Sequence, residues 1–178
     1  SEDDELRRRL EELKRRIEDL IRKLREVLKR SEDELRKILR ELREVDKDLR
    51  RRIEELIKDI QDEEVIDRLK KLLKRHTDRS RELEKRLKEI LDELRKRHEK
   101  VERDLRRILE ELKKLSDDRE LDEDEAKKRL EEILRRAEEL LERLKRTNER
   151  VNRKVREDMK RAKEHAKRLL EEAEELAR

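Results

Sequence analysis

Apolar residues recur along this chain at two closely related spacings, interrupted by two short polar breaks. Between Val65 and Leu115 they fall at 66, 69, 73, 76, 80, 83, 87, 90, 94, 98, 101, 105, 108, 112 and 115, with a few polar residues holding seam positions. That is 49 residues in 14 steps, or 3.5 per step, the period of a coiled-coil seam. Upstream the series is 6, 10, 13, 17, 20, 24, 28, 31, 35, 38, 42, 45, 49, 53, 57 and 60, or 54 residues in 15 steps. At 3.6 per step this matches a nearly straight helix. Extra apolar residues at 21, 27, 39 and 56 widen its stripe enough to meet two neighbours. A third series starts at 126 and ends at 176, passing through 147/148 and 165/166.

The breaks are Gln61 to Glu64 and Ser116 to Asp122. Asp62 and Asp122 each precede a new series and have the chemistry of an N-cap, with acids in the turn that follows. Ser1 precedes Glu2, Asp3, Asp4 and Glu5 in the same way. Helices are therefore expected over 2–60, 63–115 and 122–177. Short connections make sequential helices antiparallel. The expected fold is all-α: one domain over 1–178, an antiparallel up-down-up three-helix bundle. At ~1.5 Å per residue it would be a coiled-coil-like rod roughly 80 Å long. A competing parse breaks the chain again at Ser31-Glu32-Asp33-Glu34, which has capping-box spacing, and at Thr147-Asn148. The apolar phase runs through both places without a slip, which favours three long helices.

Composition sharpens this reading. The 178 residues include no Gly, Pro, Cys or aromatic residue, which removes most turn chemistry and nearly every strand signal. Without Gly there is no phosphate-cradling loop or dinucleotide fingerprint, and without Cys no disulfide or thiolate metal site. The chain is 63% charged, yet its net charge is only +4, and strict periodicity opposes disorder. No apolar run is long enough to span a membrane. No signal or transit segment is visible, which suits a soluble chain compatible with cytoplasmic expression.

What remains is the set of polar residues in the seams. Reflecting positions through the two breaks places Ser31 at the height of Thr147 and Asn148, with Asn152 one turn on. This predicts one buried hydrogen-bonded layer. The same construction brings Asp46, His76, Ser80 and His165 to a second level. Two sharp readings attach to this second group: a metal held by two His and a carboxylate, and a Ser-His-Asp relay. Mid-helix N–H groups are already bonded, so no oxyanion hole is at hand, and neither Glu-x-x-His nor His-Glu-x-x-His occurs. The plainer expectation is a buried network that fixes helix register. His98 reflects to Leu140 and Leu141, which suggests a seam-edge side chain reaching water.

Charge is uneven. Residues 28–53 hold 10 Lys/Arg against 7 acids, residues 70–97 hold 12 against 6, and residues 143–168 hold 12 against 4. These stretches share a height range in the expected bundle, forming a basic belt between acidic ends. A belt attracts polyanions. Against nucleic acid stand the missing aromatics and the interleaved acids.

The Leu/Ile seam, the Glu/Arg/Lys surface and the polar insertions Ser31, His76, Ser80, Asn148, Asn152 and His165 together resemble de novo designed helical bundles. Spectrin-type natural bundles are the other three-helix comparison, but they carry aromatics, Gly and Pro. The designed-bundle resemblance implies a hyperstable, monomeric structural scaffold. No natural biochemical function, catalytic residue, cofactor, metal or required partner is expected. The alternative is a binding module using the basic belt or an apolar seam.

Overall fold

A computed structural model describes residues 2–118, 120 and 122–178, with side chains from Asp4 onward. Ser1, the expected first cap, lies outside the described residues. The element order is α1 (Glu2–Lys58), α2 (Glu63–Asp117) and α3 (Glu123–Ala177). The two extra breaks of the competing parse do not occur: α1 is continuous through Ser31 and α3 through Thr147 and Asn148.

Helix ends follow local chemistry. α1 stops at Lys58, two residues before the expected end. Asp59 N–H donates to Leu56 O and Ile60 N–H to Ile57 O, the tighter i−3 pattern of a closing turn. Asp62 caps α2 as expected, its carboxylate accepting the Glu64 N–H at 3.0 Å while its carbonyl accepts from Ile66 N. α2 runs on to Asp117, past the expected Leu115. Asp118 then opens the connection by accepting the Glu120 N–H at 3.1 Å. Among the described residues no backbone takes positive φ. The first connection, Asp59 to Asp62, therefore needs no left-handed residue and no glycine.

The helices form two compact units, residues 1–31 with 93–149 and residues 32–92 with 150–178. Each contains a segment of all three helices. In the first, Ile17, Leu105, Leu112 and Ala137 are fully buried within a cluster that also holds Leu24, Ile108 and Leu141. In the second, Leu49, Ile53, Leu69, Ala166 and Ala173 form one core cluster, with Val45, Leu73 and Leu170 against it, and Leu35, Leu42, Leu87 and Val155 are buried as well. Each such Leu or Ile contributes about 1.5–3 kcal/mol by leaving water. No large hydrophobic among the described residues is exposed.

Interhelix pairs show the chain directions within each unit. In the second, Arg43 meets Glu84 and Arg50 meets Thr77, so α2 runs against α1. Glu34 meets Arg156 and Glu41 meets Lys163, so α3 runs with α1. In the first, Arg25 meets Glu102, Arg16 meets Glu138, and Glu111 meets Arg136. Each unit is thus an up-down-up three-helix bundle, as the periodicity predicts.

Candidate functional site

His76 and Ser80 are four residues apart, so they stand one above the other on the inner face of α2. Both are buried, at 3% and 6% exposure. Asp46 reaches them from α1, its side chain 31% exposed. Its Oδ1 accepts the Ser80 hydroxyl at 2.5 Å and contacts His76 Nε2. Ser80 Oγ lies 3.3 Å from the same ring nitrogen. The carboxylate only accepts, so Nε2 carries a proton, and in the neutral ring Nδ1 is the acceptor. Nδ1 is buried and has no hydrogen-bond partner among the described residues.

This arrangement is not a catalytic relay. A relay places the serine on one ring nitrogen and the carboxylate on the other. Here both share Nε2, and the Ser80 hydroxyl donates its hydrogen bond to Asp46. No group of three or more His, Asp or Glu among the described residues is disposed to hold a metal.

His165 joins this level only in part. Its ring stacks on His76, centroids 6.4 Å apart and planes 20° from parallel. Its nitrogens face not Asp46 but Arg79, whose Nη1 lies 3.1 Å from Nδ1 and 2.8 Å from Nε2. His165 is half-buried. Burial, then the charges of Arg79, His76 and Arg168, hold its pKa below the ordinary 6.5.

The other predicted layer is rearranged. Asn148 is buried at 3%, but its partner is His98 on α2, with Nδ2 donating to Nε2 at 2.8 Å. Asn148 Oδ1 is buried without a partner. Ser31 is buried as expected, at 4%. Thr147 is not part of the layer: it is half-buried and its hydroxyl donates back to Arg143 O at 2.9 Å. One residue is a 100° turn, so the seam admits Asn148 and leaves Thr147 at the flank. Asn152 is half-buried; its Nδ2 reaches Glu34 at 3.5 Å, a marginal contact, while Arg156 holds the same carboxylate from Nε at 2.7 Å.

His98 is the residue the sequence reading misplaced. It is 2% exposed and faces no water. Helical side chains lean toward their own N-terminus. In an antiparallel pair, two side chains that meet therefore belong to residues displaced toward higher numbers from mirror positions. Glu111–Arg136 and His98–Asn148 have midpoints between 123 and 124 and at 123, whereas the reflection used 119. The clue was in the seam itself, since position 98 is a full member of the α2 series.

A feature that the sequence reading did not find lies beside His76. An open cleft of about 320 Å³ separates α2 from α3 in the second unit, with His76 and Ser80 among its lining and Arg79, Arg86 and Arg161 at its rim. Ser80 and Ala162 give it short side chains beside the larger Leu83. Among the described residues, no helix is long and apolar enough to cross a membrane. Comparison with protein-family models, curated proteins and solved structures finds no match to this chain.

Proposed function

We propose that this chain is a structural scaffold of the designed helical-bundle kind, whose buried polar residues select one pairing of its helices. The observation that carries the reading is the pairing of inward polar side chains across helices: Asp46 with Ser80 and His76, and Asn148 with His98. Leu and Ile seams tolerate a slide of one turn, because one aliphatic contact replaces another. A slide that separates Asn148 from His98 leaves two buried polar groups without each other, at about 1–3 kcal/mol each. Such residues therefore trade stability for register. The same reading makes the chain a monomer, because its apolar stripes cover one another, and asks for neither cofactor nor reaction.

The test replaces Ser31, Asp46, His76, Ser80, His98 and Asn148 together by Leu or Val. The variant should melt no lower than its parent, but show broadened or doubled amide resonances. The parent should be monomeric by light scattering, with and without added polyanion, and melt above ~90 °C. A variant as uniform as the parent, or a parent of dimer mass, would overturn the reading.

A further inference from the structure

The cleft beside His76 combines three properties that together define a ligand. Its rim is cationic: Arg79, Arg86 and Arg161 line it and are exposed. Glu82 and Asp158 also line it, so its arginines exceed its acids by one. Neither Arg86 nor Arg161 is held in an ion pair among the described residues. His76, 3% exposed, also lines it, and its buried Nδ1 has no partner among the described residues. Its walls include the short apolar side chain of Ala162 and part of Leu83, which leaves room between the helices.

Guanidinium groups recognise tetrahedral oxyanions through paired N–H donors. An imidazole lone pair asks for the opposite, a donor. One common small anion offers both. We propose that the α2–α3 cleft is a binding site for hydrogen phosphate or its monoesters. The anionic oxygens accept from Arg86 and Arg161 at the rim, and the P–OH donates to His76 Nδ1. Sulfate has the same shape and charge but no hydroxyl, so it meets the rim and leaves His76 Nδ1 unsatisfied. This inference goes beyond the scaffold reading and does not rest on it.

The experiment titrates the whole protein with inorganic phosphate and with sulfate at matched ionic strength, following the ring ¹⁵N shifts of His76 and His165 and the Nε–H signals of the arginines. Phosphate should give saturable shifts confined to these residues, with sulfate at least about fivefold weaker. R86Q/R161Q, which changes two exposed side chains, should keep the parent helical signal and bind at least about tenfold more weakly. R7Q, in the other unit, should bind as the parent does. Equal responses to phosphate, sulfate and chloride would overturn the site, as would undiminished binding by R86Q/R161Q. Sulfate binding as tightly as phosphate would overturn the role of His76 and with it the choice of ligand.

Discussion

Asn148 and His98 meet inside the first unit at 2.8 Å, each nearly sealed from water, the amide donating and the imidazole accepting. Asn148→Leu and His98→Leu each leave the bonded atom of the other side chain buried without its partner, and each should cost about 1–3 kcal/mol. The double Leu variant should match or exceed the parent. Guanidinium midpoints for the four proteins check this; additive losses would mean that the pair is not coupled.

Asp46 is the acceptor for both buried donors of its level. Asp46→Ala strands the Ser80 hydroxyl and His76 Nε2 together, and should cost about 1–3 kcal/mol. Ser80→Ala leaves the His76 contact in place and should cost about 0.5–1.5 kcal/mol. In the Asp46→Ala background, Ser80→Ala should cost almost nothing, because its hydroxyl has lost its acceptor. Denaturant midpoints of the cycle measure this coupling.

The helices were legible because spacing is a property of the chain alone. A seam at 3.5 residues, acids at helix starts and Asp62 as a cap fixed α2 to within two residues. Which residues share a level was legible only in part, because it depends on side-chain lean as well as on helix number. Ser80 found Asp46 because the predicted error there was small against a side chain's reach. Asn148 met His98, which reflection had set against Leu140 and Leu141, because the register across the second connection is displaced by eight residues from Leu140. The arginine-rimmed cleft was not legible: its lining comes from two helices, and which residues of α2 and α3 share a level is not a property of spacing along the chain.

Glu102 draws both Nε and Nη2 of Arg25, at 3.0 and 2.6 Å, and Nη2 of Arg106 at 3.1 Å. Partial burial pushes its pKa up, but the bonds from Arg25 and Arg106 outweigh this and hold it below the ordinary 4.5. Glu102→Gln should cost no more than about 1 kcal/mol, since the arginines keep their water. The loss should shrink in high salt. Carboxyl NMR should place Glu102 below 4.5, with its contribution present above that pH and lost as acid protonates it.

His165 gives the pH dependence its sign near neutrality. Its folded pKa lies below the unfolded 6.5, through burial and the charges of Arg79, His76 and Arg168. The unfolded chain then binds the proton more readily than the folded one. The contribution is fully present above about 6.5 and is lost as pH falls through the lowered value. Protonation also removes the single ring lone pair that can accept from Arg79 Nη1 and sets two cations against each other. The guanidinium midpoint should therefore be lower at pH 5.5 than at pH 8, a window that lies above the Glu102 transition. His165→Gln keeps a polar group beside Arg79 without a titrating one, and should narrow the gap between the two pH values. His165→Gln with an undiminished gap would place the pH dependence on another group and leave the Arg79 contact as packing alone.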